Sequence, residues 1–395
     1  MNIAQKIREK TEGYSDYTAR NLSEIVKIQS LSGEEAAVIE KLEILLGDAG
    51  FDEVFTDGLG NLIGKIGDGP KILAFDAHID TVDTGDISQW DFEPFCGEIR
   101  DGNVPGRGSV DQKGGAAAMI TAGRILAELG YDGEFTIYFT FTVMEEDCDG
   151  LCWNYIIEKE RIIPDFAVLT EPTNMNIYRG HRGRMEIECY FSGESSHASA
   201  PERGENAIYN ASHAAIQIEK LNGRLKSDDF LGKGTIAATL IESKSPSLCA
   251  VPDRCRIHLD RRLTLGETKE SAIAEVRSAI GGDTKIEIPI YNKPSYKGTN
   301  FQREMFFPTW AIPEEHNLVK AGVESYKRLF GERPRIGKWA FSTNGVAICG
   351  THGIPCIGFG PGDEIFAHAP NEAVPIEHLA KAAAFYAMMP YIIEG

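Results

Sequence analysis

Runs of β-branched and aromatic residues alternate with helical stretches along most of this chain, and that alternation limits the fold more than any other feature. Short β segments are expected at Phe51–Thr56, Leu62–Ile66 and Lys71–Ala77, the first two punctuated by Asp57-Gly58 and Gly60-Asn61. The stretch before them reads as helical. Ser32-Gly33-Glu34-Glu35 has the form of a capping box, and Val38, Ile39, Leu42, Leu45, Leu46 and Ala49 follow at helical spacing up to Gly50. An Ala-rich helix is expected over Lys113–Leu129, ended by Gly130. Phe135–Val143 and Phe166–Thr170 read as further strands. Strands alternating with helices argue for an α/β sheet covered on both faces.

From about Arg184 the rhythm changes. Met185–Ser192, Thr235–Ile241, Cys255–Leu263 and Lys285–Ile290 read as strands, and Asn206–Leu221 and Lys269–Ile280 as helices. That order is βαββαβ, the pattern of a ferredoxin-like unit. The first pattern then resumes with helix Glu314–Phe330, strands near Arg335–Trp339 and at Pro355–Phe359, and helix Ile376–Met388. A length of 395 residues suits two or three domains at about 150 residues each. The simplest parse is a discontinuous α/β domain, residues 1–183 and 291–395, with residues 184–290 inserted as a second domain.

Lys and Arg number 40 against 59 Asp and Glu, a formal charge of −19, which makes nucleic acid and anionic membrane surfaces poor partners. Apolar residues at 42% and charged residues at 25% are ordinary globular usage. No apolar run reaches the roughly 18 residues of a membrane-spanning helix. Met1–Lys10 is polar and charged, so no secretory signal is expected at this end. The eight cysteines are scattered without a C-x-x-C pair, which reads as free thiols in a reducing cytoplasm.

Chemistry concentrates at the carboxyl ends of the expected strands, where open α/β sheets bind ligands. Lys71–Ala77 runs into His78-Ile79-Asp80, Phe135–Val143 into Glu145-Glu146-Asp147, and Phe166–Thr170 into Glu171. Asp111 immediately precedes the Ala-rich helix, and His368 lies in a loop after Pro355–Phe359. Taken singly, a strand-end His is usually only hydrogen-bonded, and a Glu-Glu pair is usually solvated. Taken together, clustered carboxylates repel one another and resist burial. A pair of divalent cations would resolve both problems, and mixed His/carboxylate ligation suits zinc, manganese or cobalt.

The motifs His78-Ile79-Asp80-Thr81-Val82, Gly106 to Gly115 (GRGSVDQKGG), Glu145-Glu146, Thr170-Glu171-Pro172 and Ala367 to Glu372 (AHAPNE) resemble those of the M20 metallopeptidases. That family includes acetylornithine deacetylase, succinyl-diaminopimelate desuccinylase and the glutamate carboxypeptidases. The similarity spans nearly the whole chain, in order. Glu145 to Trp153 is most similar to a branch named for selenium-metabolism hydrolases, a label that names no substrate. The resemblance implies a zinc-peptidase-like catalytic α/β/α domain with an inserted ferredoxin-like lid and dimerisation domain.

Carried over residue by residue, the resemblance implies two divalent metals, zinc first and cobalt or manganese next. Asp111 would bridge them, His78 and Glu171 would complete one, and Glu146 and His368 the other. Glu145 would be the general base, and Asp80 would hold the ring of His78. The Asp111-Gln112 peptide bond is expected to be cis. Ser196 to Pro201 (SHASAP) with Gly204 to Ile208 (GENAI) is similar to the family's lid motif. It makes His197 the donor to the oxyanion and places Asn206 at the substrate. Asp260-Arg261-Arg262 resembles the lid strand whose second Arg meets a substrate carboxylate, which suits the fork of Arg262. Ser342-Thr343-Asn344-Gly345 sits where many relatives have Thr-Asp-Gly, so Ser342 and Asn344 are further candidate substrate contacts.

The implied activity is hydrolysis of an amide bond in a small N-acyl or N-carbamoyl amino acid or short peptide, by a cytoplasmic homodimer assembled through the lid. A dipeptidase or aminopeptidase of the same family is the alternative. A non-enzymatic binding relative is a third reading, which the retained ligand positions and Glu145 argue against.

Overall fold

The computed structural model describes residues 2–282 and 284–393. The chain forms two compact units. One contains the chain through Gly180, Asn292–Phe301, and everything from Ala311 onward; the other contains His181–Tyr291 and Gln302–Trp310. Among the described residues no helix is long and apolar enough to cross a membrane.

The larger unit is built on an eight-stranded mixed sheet. Its order is Glu53–Thr56, Leu62–Ile66, Phe135–Thr142, Lys71–His78, Phe166–Leu169, Cys356–Gly358, Ile177–Tyr178, Ile336–Gly337. The four strands from Phe135–Thr142 to Cys356–Gly358 are parallel, so their carboxyl ends share one edge. Phe135–Thr142 is β-branched or aromatic throughout and buried along nearly its whole length, as an inner strand must be. Phe75 stacks on Phe139 with centroids 5.1 Å apart; burying each ring contributes about 1.5–3 kcal/mol.

Lys113–Leu129 is buried on most of its circumference and packs against Ile376–Met388 and Ser15–Val26. Gly115 is required at its start, because a Cβ there would sit 2.2 Å from Oγ1 of Thr170. Gly130 ends the helix in the left-handed conformation, φ 63°. The N-terminal stretch forms two helices, Ile3–Gly13 and Ser15–Val26, before Ala36–Ala49.

Several boundaries differ from expectation. The capping box at Ser32–Glu35 does not form. Ser32 Oγ donates to Asp80 Oδ2 at 2.6 Å, and Glu35 turns inward to other backbone groups, so tertiary partners displace the local cap. The helix expected from Glu314 starts at Asn317, capped by His316. Strand Arg335–Trp339 shrinks to Ile336–Gly337.

The smaller unit follows βαββαβ: Gly183–Ser192, Ala207–Asn222, Thr235–Lys244, Arg254–Leu263, Lys269–Ile280, Lys285–Glu287. Its strands pair antiparallel in the order Thr235–Lys244, Arg254–Leu263, Gly183–Ser192, Lys285–Glu287. Alternate residues Met185, Ile187, Cys189, Ile257 and Leu259 are buried with Ala211, Ala214, Ala272 and Val276 of the two helices. Phe306–Phe307 also pairs with Gly183–Ser192, which brings Gln302–Trp310 back into this unit beyond the 184–290 limits expected.

Candidate metal centre

Four strand ends and one helix start deliver the acidic and imidazole groups. His78 is the last residue of Lys71–His78, and its ring is buried. His78 Nδ1 faces the carbonyl oxygen of Asp80 at 3.0 Å and that residue's Oδ1 at 3.4 Å, leaving Nε2 to point at Asp111 Oδ1, 2.9 Å away. Asp111 precedes helix Lys113–Leu129, and the Asp111-Gln112 peptide bond is cis. The other Asp111 oxygen, Oδ2, lies 3.3 Å from Nε2 of His368. Asp111 therefore offers one oxygen to each imidazole.

Glu145 and Glu146 leave the end of Phe135–Thr142 through Met144, whose φ is 62°. Two carboxylates hold that turn. Glu35 Oε1 accepts from Met144 N at 3.0 Å and from Gly33 N at 2.9 Å. Asp80 accepts from Glu145 N at 3.2 Å and from Glu146 N at 3.0 Å. The two residues lie in this turn and not in extended chain, Cys148 N donating to the carbonyls of Met144 and Glu145, and their side chains nevertheless diverge. Glu145 Oε2 approaches His78 Nε2 at 3.9 Å, while Glu146 meets His368 Nε2 at 3.0 Å. Glu171 follows Phe166–Leu169 and brings Oε1 within 3.7 Å of His78 Nε2. Gly360 permits this, since a Cβ there would lie 2.1 and 2.2 Å from the carbonyl oxygens of Thr170 and Glu171.

The arrangement is electrostatically suited to positive charge. Burial, with the neighbouring Asp111 charge, raises Glu171 well above the usual carboxylate range and Glu146 to about 7. Burial likewise raises Glu145, against the pull of His78. Contacts with Asp111 and Glu146 push His368 up to about 10. Burial opposes charge on His78, but the Asp111 and Asp80 contacts prevail and raise it. Burial pushes Asp111 up, but the two imidazoles outweigh it and hold its carboxyl low. Glu145 Oε1 and Glu171 Oε2 are buried without a hydrogen-bond partner among the described residues. His78, Glu145 and Glu171, and likewise His78, Asp111 and Glu146, each offer ligand atoms within 4.8 Å of one another. Buried acceptors without donors cost free energy unless a cation satisfies them.

The sequence profile of Peptidase family M20/M25/M40 matches residues 74–391. The chain belongs to this family. It is a metal-dependent hydrolase of amide or peptide bonds. It is 48% identical to the uncharacterized protein YgeY of Escherichia coli (strain K12), over 97% of this chain and 96% of that protein. It is 28% identical to a succinyl-diaminopimelate desuccinylase of Nitrobacter hamburgensis, over 92% and 95% of the two chains. Its fold is similar to that of aminopeptidase PepT from Bacillus cereus, with TM-score 0.73, 24% identity and coverage of 96% and 99%. It is also similar to YXEP of Bacillus subtilis, described as a dinuclear metal binding peptidase, with TM-score 0.71, 15% identity and coverage of 97% and 99%.

Asn344 is buried against two inner strands of the sheet, Lys71–His78 and Phe135–Thr142. Its Nδ2 donates to Asp76 Oδ2 at 2.8 Å, and its Oδ1 accepts from Gly150 N and Cys152 Sγ. Ser342 Oγ is buried without a partner among the described residues. Asn206 caps helix Ala207–Asn222 through Ile208 N. His197 is exposed; its Nδ1 accepts from Ser199 N at 3.1 Å, which leaves the ring proton on Nε2. Arg262 forms a two-pronged pair with Asp260 two residues back, at 2.8 and 3.2 Å. The adjacent Arg261 is buried against Glu267 and Glu275. Glu35, Arg107 and Glu372 belong to the site's supporting structure; the last two fall inside motifs noted in the sequence, but no signal there marked their supporting roles. Glu35 read as part of a helix cap, and the partners of Arg107 and Glu372 lie 265 residues apart.

Proposed function

We propose that this chain is a two-metal hydrolase that cleaves the amide bond of a small N-acyl or N-carbamoyl amino acid or short peptide. The observation that carries the reading is the double presentation of Asp111, with Oδ1 2.9 Å from His78 Nε2 and Oδ2 3.3 Å from His368 Nε2. His78, Asp111 and Glu171 would hold one ion, and Asp111, Glu146 and His368 the other. Two imidazoles, three carboxylates and the orphaned oxygen of Glu171 are a donor set that fits divalent ions. Zinc suits it best, with cobalt or manganese next. When bound, the ions would supply a Lewis acid for the amide carbonyl and lower the pKa of a shared water toward neutrality.

The protein's own groups do the remaining work. Glu145 takes the proton of the attacking water on its carboxylate and delivers it to the nitrogen of the leaving amine. Its backbone and that of Glu146 are fixed by Asp80, which also fixes the ring of His78. His197 donates from Nε2 to the developing oxyanion. Arg262 exchanges Asp260 for a substrate carboxylate, and Ser342 offers its hydroxyl to substrate. Desuccinylase relatives support the acyl-amino-acid reading, and aminopeptidase neighbours support short peptides as a second one. Free thiols at all eight cysteines support a cytoplasmic location. A homodimer through the smaller unit is supported by edge strand Thr235–Lys244, whose residues from Ala237 onward are exposed.

The test is elemental analysis together with a hydrolysis screen. Two metals per chain, and turnover of acyl-amino acids, carbamoyl-amino acids or dipeptides that a chelator abolishes, are expected. A chain that binds no zinc, cobalt or manganese would end the proposal.

A further inference from the structure

The geometry points to Arg107 and Glu372 as a buried strut that sets the spacing of Asp111 and His368, and so the affinity of the second metal position. The inference rests on the two-metal reading above. Arg107 is 2% exposed and Glu372 is fully buried. Each Glu372 oxygen takes two donors. Oε2 accepts from Arg107 Nη1 at 2.7 Å and Gly108 N at 3.1 Å, and Oε1 accepts from Val110 N at 2.7 Å and Asp111 N at 3.0 Å. One carboxylate therefore gathers the amides of the turn that ends in Asp111.

The guanidinium reaches the other way. Arg107 Nη2 donates to the carbonyl of His368 and Nη1 to that of Ala369, each at 3.3 Å. It lies over the ring of Trp90, 5.1 Å from the centroid. His368 and Asn371 both have left-handed backbone, φ 60° and 62°. Such a conformation costs a non-glycine residue roughly 1–2 kcal/mol and persists where surrounding structure holds it. Arg107 supplies that hold at His368, and Asn371 Oδ1 supplies a second by accepting from Asp91 N at 2.7 Å. The two metal-facing residues lie on loops far apart in sequence, and this ion pair joins the loops directly. Arg107 and Glu372 touch no substrate; they are positioning residues.

The two arms separate by substitution. Arg107→Lys keeps the buried charge balance but cannot fork to both carbonyls, so it frees only the His368 loop. Glu372→Gln leaves two of the four donors facing an amide N–H₂, so it loosens the Asp111 turn shared by both positions. Cobalt(II) titration of metal-free protein, read by visible absorption and calorimetry, tests this. Wild type should show two ions per chain. Arg107→Lys should weaken one of them by about 10–100-fold and leave the other within about 2-fold, whereas Glu372→Gln should weaken both. In a His368→Ala background, adding Arg107→Lys should not change the affinity of the ion that remains. Unchanged constants in Arg107→Lys, equal loss of both ions in that variant, or a further loss in the His368→Ala background would each overturn the inference. Should Glu372→Gln not fold, Arg107→Lys decides alone. Fewer than two ions in wild type would overturn the two-metal reading and the strut's role with it.

Discussion

Asn344 Nδ2 donates to Oδ2 of Asp76 across 2.8 Å, and both side chains are buried. Asp76 also accepts from Thr140 and Thr142, and burial raises its carboxyl above the usual range. An aspartate at 344 would set a second carboxylate against this one. Asn344→Asp should therefore cost roughly 3 kcal/mol at pH 8, and less at pH 5, where the pair can share a proton. Urea unfolding at the two pH values measures this. Equal stability of variant and wild type at pH 8 would contradict it.

Glu145 and Glu146 are adjacent but face different imidazoles, His78 and His368. Glu145→Gln should retain two metals while turnover falls about 10²–10⁴-fold, because proton transfer is lost and ligation is not. Glu146→Gln should lose metal as well as turnover. Elemental analysis beside initial rates would reveal the reverse assignment if it held.

The fold was legible where local preference and tertiary packing agree. Lys113–Leu129 ends at Gly130, as its sequence predicts, because the alanine run and the left-handed glycine act locally. The βαββαβ pattern survived for the same reason. The Ser32–Glu35 pattern failed because Asp80 and Met144 offer these side chains buried partners. The acidic and imidazole residues stood out in the sequence at three strand ends, before a helix and in a loop, and the structure brings them close together. The roles of the supports behind them could not be read: Arg107 and Glu372 fall inside two of the motifs, but they meet across 265 residues, and no local pattern pairs them. Asn344 illustrates the same limit, since its role depends on Asp76, 268 residues away.

His197 carries its ring proton on Nε2, because Ser199 N donates to Nδ1. As an oxyanion donor, its loss in His197→Ala should lower kcat about 10²–10³-fold with metal content unchanged. Mixing His197→Ala chains with Glu145→Gln chains tests the homodimer as well. Partial recovery of activity is expected if His197 serves a partner chain; none, with subunit exchange confirmed by mass spectrometry, would assign it to its own chain.

His181 predicts a pH dependence in the smaller unit. The indole N–H of Trp310 donates to His181 Nε2 at 2.7 Å, so Nε2 must be unprotonated, and Nδ1–H faces the Arg182 carbonyl at 2.8 Å. A second ring proton would break the Trp310 bond and charge a buried ring, and burial accordingly lowers the pKa from 6.5 to about 4. With the folded value below the unfolded one, the unfolded chain binds the proton first. The stabilisation is thus complete above pH 6.5 and is lost as pH falls toward 4, a change of roughly 3 kcal/mol at most. His181→Phe keeps a ring beside Trp310 but cannot titrate. It should be less stable than wild type at pH 7.5, since the indole N–H loses its acceptor, and the gap should narrow on acidification to pH 4.5. Urea midpoints of the two proteins across that range provide the check, and a gap that stays constant with pH would show that His181 does not titrate on unfolding.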